Sequence, residues 1–364
     1  MNGRAIVILD DPDLPAMAAL TEGGRLIDLL IDPPEDDPTP RPGAIHMARV
    51  TRLAPAMGAV FVDLGEGREG FLKGVKGLRA GDWLAVQISR HAEPGKAVPV
   101  SAEPLFKGRY AIVTPHAPGL NVARKIRDPE ERARLTRIAQ EALERAGLSA
   151  GLVVRTAAEG AAEAEIAEDV EELAALARLV EGAPADAPAE LVAAPDAEVL
   201  AWRDWVDPEP ERVLRGDSGL FDDLGLLDQI EALLSPRVPL PGGAWMTIEP
   251  TAAMVCVDVN TGADFSPASA LKANLAALED LPRQLRLRGL GGQITVDAAP
   301  CSKRDRPKLE AALKRALKSD PVETTVAGWT PLGNLELLRK RERRPIAELL
   351  RAPLERTARG RGRR

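Results

Sequence analysis

Histidine, cysteine and aromatic side chains are scarce in this chain of 364 residues. Its three histidines, His46, His91 and His116, are scattered, which argues against a histidine-based triad or a histidine-rich metal site. The two cysteines, Cys256 and Cys301, lack zinc spacing and cannot build a disulfide framework, so a reducing, cytoplasmic setting is expected. No apolar run approaches the length of a membrane span, and Met1–Asp10 shows no signal-peptide pattern. Net charge is −7, which by itself argues against a polyanionic partner. The distribution reverses that reading. Residues 281–364 carry 21 Lys/Arg and 9 Asp/Glu, whereas the 280 residues before them carry 27 and 46. A chain polarised in this way can hold a polyanion at its basic end.

What is present centres on two short apolar runs that each deliver a carboxylate. Met254–Asn260 reads Met-Val-Cys-Val-Asp-Val-Asn, and Gly291–Asp297 reads Gly-Gly-Gln-Ile-Thr-Val-Asp. Short β-branched runs bounded by turn signals predict buried strands. Neighbouring strands would set Asp258 and Asp297 side by side, and Asn260, two positions after Asp258, would share its face. Between them lies the basic segment Leu281–Leu290. Two acids and an amide beneath a ring of arginines suit a hard divalent cation that must meet a phosphate. Either Asp alone is better explained as a turn residue, and it is the pair with Asn260 and the basic surround that favours a metal site.

Around this centre the chain reads as several modules, as its length predicts. Arg4–Asp10 and Gly24–Asp32 are expected strands, separated by a helix or turn at Leu14–Glu22. Pro33–Pro42, with five prolines and three acids, is a linker. Ala44–Val100 has the short strands and Gly-rich turns of a small closed β-barrel. Barrels of the OB class stack unpaired bases on aromatics, a task for which Phe61 and Phe71 are candidates beside Arg90 and Lys96. A buried core position is the simpler fate for each Phe. Asp128–Ala146 is helical, opening Asp-Pro-Glu-Glu. Leu152–Thr156 is a strand, and Arg124, Lys125, Arg155 and Thr156 together could cradle a phosphate. Gly182–Pro188 is a second linker. Leu220–Leu234 is expected to be one amphipathic helix, Leu271–Arg288 a helix broken or kinked at Pro282, and Arg351–Arg364 a disordered basic tail.

At these residues the chain resembles the ribonuclease E/G family of endoribonucleases, from the N-terminus to about Pro345, as a compact, ribonuclease G-like member. Glu249–Thr261 looks like the segment holding the first metal-binding Asp. Arg283-Gln-Leu-Arg-Leu-Arg-Gly-Leu-Gly-Gly-Gln-Ile-Thr-Val-Asp297 looks like the segment holding the second. Ala59–Gly65 and Gly70-Phe-Leu resemble the family's S1-type barrel, and Leu152–Gly160 its pocket for an RNA 5′-monophosphate. The resemblance implies an α+β multidomain fold. A split RNase H-like subdomain (1–40 and 186–240) would hold an inserted S1-type OB barrel (41–103) and a 5′-sensor (104–185). A DNase I-like catalytic subdomain (241–345) and a disordered basic tail (346–364) would follow. It further implies that Asp258 and Asp297 ligate Mg²⁺ and that Asn260 holds Asp258 in place. Gly108, Ile112, Arg124, Arg155 and Thr156 would line the 5′-phosphate pocket, and Phe61, Phe71 and Lys96 would grip RNA. The implied activity is Mg²⁺-dependent cleavage of single-stranded RNA, in rRNA or tRNA processing or mRNA decay, to 5′-phosphate and 3′-hydroxyl ends, with preference for 5′-monophosphorylated substrates.

The sequence departs from the family pattern in places. No Cys-Pro-x-Cys follows the catalytic region, so a homodimer, if formed, would lack the family's zinc link. After Asp297 come Ala-Ala-Pro-Cys, where relatives carry bulkier residues and a further acid. Two other readings stand beside the nuclease. One is a catalytically impaired RNA-binding protein that uses the barrel and basic tail. The other is a metal-dependent DNase on the same scaffold.

Overall fold

The computed structural model describes residues 3–34, 36–93 and 95–361. The chain divides into two compact units, Met1–Glu35 with Glu211–Arg364, and Asp36–Pro210. The first unit opens with β1 (Arg4–Leu9), β2 (Met17–Glu22) and β3 (Arg25–Ile31), an antiparallel meander. The helix or turn expected at Leu14–Glu22 is therefore largely a strand. Its Ala-Ala-Leu-Thr-Glu has helical propensity. Gly23 and Gly24, both at positive φ, turn the chain back on itself, however, and pairing on both edges overrides the local preference.

The inserted unit begins with β4 (Ile45–Ala54), β5 (Ala59–Gly65), β6 (Arg68–Lys73), β7 (Trp83–Ile88) and β8 (Val98–Ser101). They pair in the order β4-β5-β6-β8-β7, and β7 returns to β4, so five strands close into a barrel. Strand alternation sends Val50, Val62, Leu64, Leu72, Val86 and Ile88 into its core. A second sheet follows, made of β9 (Phe106–Lys107), β10 (Ala111–Thr114), β11 (Leu120–Val122) and, after α1 (Pro129–Ala146), β12 (Gly151–Val154), in the order β11-β12-β10-β9. The apolar stripe of α1 (Leu135, Ile138, Ala142) joins that of α2 (Glu163–Glu181; Ile166, Val170, Ala177) in one core with this sheet. The Asp128 side chain caps α1 by accepting from the Glu130 N–H, and Gly147 ends it in the left-handed conformation. β13 (Ala189–Val192) then pairs with barrel strand β4, and α3 (Ala197–Asp204) follows. Residues 186–210 thus lie in the inserted unit, and the boundary expected at 186 falls at Glu211.

On return to the first unit, β14 (Arg212–Gly216) runs parallel to β1 and completes a sheet ordered β14-β1-β2-β3. The single helix expected at Leu220–Leu234 is two, α4 (Ser218–Asp223) and α5 (Leu226–Leu233), because Gly225 adopts φ +63° between them. A six-stranded sheet follows: β15 (Arg237–Pro239), β16 (Trp245–Pro250), β17 (Val255–Asn260), then α6 (Pro267–Leu287), β18 (Gly292–Asp297), α7 (Arg306–Lys318), β19 (Thr324–Trp329) and β20 (Leu335–Arg339). Strand order is β15-β16-β17-β18-β20-β19. β17 and β18 are parallel, joined by the α6 crossover, which runs on through Pro282 rather than breaking there. Val255, Val257, Val259, Ile294, Val296, Leu335 and Leu337 face a core shared with α6 and α7. The expectation of a disordered tail at 346–364 is corrected for its described part. α8 (Ile346–Arg361) is helical, and Ile346, Leu349, Leu350 and Leu354 are buried beside Leu9, Phe221 and Ile230. The final residues, 362–364, lie outside the described residues.

Candidate functional site

The acid pair is set by strand register. Asp258 ends its run opposite Asp297 as a direct Cα partner on the neighbouring parallel strand. Parallel strands lie about 4.8 Å apart, so in-register side chains leave the same face side by side. Because the valines at 255, 257, 259 and 296 are buried, the alternate positions Cys256, Asp258, Asn260, Thr295 and Asp297 take the opposite face. Both carboxylates are exposed there. Asn260 Nδ2 donates to Asp258 Oδ2 at 2.7 Å, which restricts rotation of that carboxylate. Across the strand pair, Thr247 adjoins Asp258 and Trp245 adjoins Asn260. The Arg237 guanidinium lies 4.1 Å from the Trp245 ring centroid. Phe265, five positions after Asn260, is 87% exposed. Sequence reading passed over Trp245, Arg237 and Phe265. The available signal was the outward strand parity of Trp245.

The arginines of the basic segment Leu281–Leu290, expected to ring these acids, bond elsewhere among the described residues. Arg283 bonds Asp280 (2.7 Å) and the Leu26 carbonyl (2.7 Å). Arg286 pairs with Asp28 and Asp320 and donates to the Ile27 carbonyl. Arg288 is 4% exposed and reaches the Ser235 carbonyl. Burial holds the Arg288 pKa down, at about 10. Arg343 and Arg339 extend the network, to Asp28 at 3.0 Å and Asp320 at 2.9 Å respectively. Arg283, Arg286, Arg339 and Arg343 tie α6 and the segment around β20 to β3, and their charge is met by the carboxylates of Asp280, Asp320 and Asp28. The glycines of the same segment are equally architectural. Gly289, at φ +65°, ends α6, and a Cβ there would lie 2.0 Å from the Arg344 carbonyl oxygen.

In the barrel, Phe61 and Phe71 are direct cross-strand partners with ring centroids 5.3 Å apart, and both are half-buried on the outward parity rather than in the core. The Arg52 guanidinium lies 3.5 Å from the Phe61 ring centroid and pairs with Glu69 at 3.0 Å. Lys96 is exposed, pairs with Glu93 at 2.5 Å, and sits three positions before Pro99, the strand partner of Phe71.

The candidate phosphate pocket gathers at one end of the second sheet. β11 and β12 are parallel and in register, so Arg124 and Arg155 both follow the ends of adjacent strands. The Arg155 N–H donates to the Tyr110 carbonyl at 2.7 Å, which brings in the Gly108–Ala111 loop. Arg155 Nη1 donates to the carbonyls of Gly108 and Arg203, and Nη2 to Asp204 Oδ1 at 2.9 Å. Arg124 is exposed and has no hydrogen-bond or ion-pair partner among the described residues. Thr156 opens a short 3-10 turn. Ile112 lies half-buried within β10, paired with Val153 and Lys107. Gly108 is explained by close approach, since a Cβ would meet an Asp169 oxygen at 2.2 Å. The Asp169 carboxylate accepts the N–H groups of Arg109, Tyr110 and Ala111 at 2.9–3.0 Å. Burial raises its pKa in spite of those bonds.

A profile of the ribonuclease E/G family matches residues 106–219 and 211–342. The chain is similar to ribonuclease G of Escherichia coli (strain K12), with 30% identity over 85% of this chain and 74% of the relative. Ribonuclease G of Haemophilus influenzae is 27% identical over the same shares. Ribonuclease E of Synechocystis sp. is 29% identical over 85% of this chain and 54% of its own length. A strand-held acid pair, a closed five-strand barrel and these matches agree on one assignment: the chain belongs to the ribonuclease E/G family.

Proposed function

We propose that the chain is an Mg²⁺-dependent endoribonuclease of single-stranded RNA that leaves 5′-phosphate and 3′-hydroxyl ends. Family membership carries the reaction class, and the in-register Asp258–Asp297 pair carries the site. Subdomains of RNase H-like and DNase I-like type within the first unit are part of the same proposal. The donor set fits the metal. Among the described residues no cluster of three or more His, Cys, Asp or Glu is poised for a cation, so zinc and all-protein calcium cages are poor matches. Mg²⁺ binds through one or two carboxylates and keeps several waters, which is what Asp258 and Asp297 on an open sheet face can offer. When bound there, the ion would make a water acidic enough to attack and would offset charge on the phosphoryl oxygens.

The chain's own groups orient and deliver. Asn260 fixes the Asp258 carboxylate through its amide. Trp245 and Phe265 offer ring faces to bases next to the acids, and Phe61, Phe71 and Arg52 offer a stacking platform on the barrel for an unpaired strand. The acid pair stands on an open face, which suits a polymer passing across it.

The experiment is a cleavage assay on a fluorescent single-stranded RNA in Mg²⁺. Asp258→Asn and Asp297→Asn should each cut at least about 10³-fold more slowly, with RNA affinity within about twofold of wild type. EDTA should stop the wild type. A double variant that still cuts in Mg²⁺ would remove the site assignment, and a wild type that binds RNA without cutting it would favour a binding protein.

A further inference from the structure

The outward face of the acid-bearing sheet carries four exposed carboxylates, Glu249, Asp258, Asp297 and Glu336. Among the described strand residues of that face there is one cation, Arg237. It lies on the edge strand β15 and is exposed, whereas Val238 beside it faces the buried core, so the Arg237 side chain leaves on the same face as the acids. Register sets it in their row. Arg237 partners Thr247, Thr247 partners Asp258, and Asp258 partners Asp297. Two strand spacings, about 10 Å, therefore separate the Arg237 backbone from that of Asp258. The guanidinium reaches to the diagonal neighbour Trp245, 4.1 Å from its ring centroid. The loop after Asn260 supports the ring from another side, since a Cβ at Gly262 would lie 3.7 Å from Trp245 Cζ3. Arg283, Arg286 and Arg288 give their N–H groups to protein oxygens. The guanidinium N–H groups of Arg237 have no carboxylate or carbonyl acceptor among the described residues.

We infer that Arg237, held by Trp245, is a second phosphate site on this face and binds an RNA backbone phosphate that flanks the one at Asp258 and Asp297. Charge gives the strand its track. Glu249, Cys256, Thr295 and Glu336 form the next row of the face, so a polyanion is repelled on that side of the acid pair. The cation at the β15 edge draws it the other way. RNA then crosses the strands along the row from Asp297 to Arg237 and leaves over the edge of the sheet. One nucleotide step and an arginine side chain together bridge the distance. A backbone contact positions the strand without reading its bases, so the site is indifferent to sequence. The inference rests on the proposed function, which puts a phosphate at the acid pair.

The test uses the full chain and a single-stranded RNA oligonucleotide, titrated in EDTA at several salt concentrations. Each phosphate neutralised on a single strand adds about 0.7 to the slope of log affinity against log salt. Arg237→Gln should weaken binding about fivefold at low salt and lower that slope by about 0.7. Arg237→Lys keeps the charge and should keep the slope. Arg315→Gln, on α7 behind the sheet, removes an exposed cation and should change neither quantity. In Mg²⁺, Arg237→Gln should lower kcat/KM by about the same fivefold, through KM, because a flanking phosphate is held alike before and during reaction. Circular dichroism checks folding. A wild type that does not bind, a folded Gln variant with the wild-type slope, a Lys variant with the Gln slope, or a loss carried by kcat alone overturns the inference. If the wild type binds RNA without cutting it, the nuclease reading falls, and the salt slope alone decides the phosphate site.

Discussion

Asn260 shows what a single side chain contributes next to an acid pair. Its amide donates at 2.7 Å to one oxygen of Asp258 and leaves the other oxygen free. Asn260→Ala should lower kcat/KM about 10- to 100-fold, as for other groups that orient a metal ligand, and raised Mg²⁺ should restore part of the loss. If kcat/KM is unchanged at every Mg²⁺ concentration, the amide has no orienting role. Phe61 can be judged in the same way. With Arg52 over its ring and Phe71 beside it, Phe61→Ala should weaken RNA binding by about 1–3 kcal/mol. Measured on short single strands, an affinity equal to wild type would remove the barrel platform. Both residues were legible from the sequence because each sits at a fixed strand parity. Arg52 was not, since its approach to Phe61 depends on pairing between β4 and β5, with a register shift beside it.

Elements of the first unit are joined by charge. Asp28 on β3 takes Arg343 and Arg286, and Asp320 takes Arg286 and Arg339. Burial would raise the Asp28 pKa, but Arg343 and Arg286 prevail and hold it below the ordinary carboxylate value. An acid with a lowered folded-state pKa adds stability that is present above its unfolded pKa, near 3.9, and is lost as pH falls through the folded value. Asp28→Asn should therefore destabilise the chain by about 3 kcal/mol at pH 7, since it strands the Arg343 guanidinium and removes one of the two carboxylate partners of Arg286. The difference from wild type should shrink at acid pH, below the folded-state pKa. Urea melts at the two pH values check this, and a pH-independent difference would mean that the network contributes no charge-dependent stability. The segment Arg283–Asp297 gains a physical explanation from the same contacts. Arg283 and Arg286 pair with Asp280, Asp28 and Asp320, Arg288 is held by the Ser235 carbonyl, and the glycines allow close backbone approach, so Asp297 is the carboxylate of that string left facing outward as a candidate ligand.

For the molecule as a whole, the division into two units predicts separable tasks. The inserted unit, 36–210, contains its own barrel core and its own helix-covered sheet. Expressed alone, it should fold and bind single-stranded RNA, yet cleave nothing, because Asp258 and Asp297 belong to the other unit. Circular dichroism and RNA titration check the first two outcomes. An unfolded fragment would show that the insertion borrows its stability. Deleting residues 346–364 should do the reverse and destabilise the first unit, because Ile346, Leu349 and Leu350 help fill its core. Each buried Leu is worth about 2–5 kcal/mol on truncation to Ala. A thermal melt unchanged by the deletion would mean that α8 does not pack as described.

Local patterning determined most of the scaffold by itself. Period-two valines announced β17 and β18, capping residues marked α1, and Gly-rich turns at short intervals announced the barrel, because burial parity and turn conformation are written in neighbouring residues. The Asp258–Asp297 pairing was reachable for the same reason. Tertiary structure alone decided which charges are free. Arg283, Arg286, Arg288 and Arg155 look alike in the sequence as exposed cations awaiting a phosphate. The acids Asp280, Asp28, Asp320 and Asp204, which take Arg283, Arg286 and Arg155, lie from 3 to 258 positions away, and Arg288 is held by the Ser235 carbonyl. The same holds for α8, whose basic composition suggests a solvated tail until a core that needs its leucines is in place. Charge and hydropathy are properties of a residue, but their compensation belongs to pairs brought together by the fold.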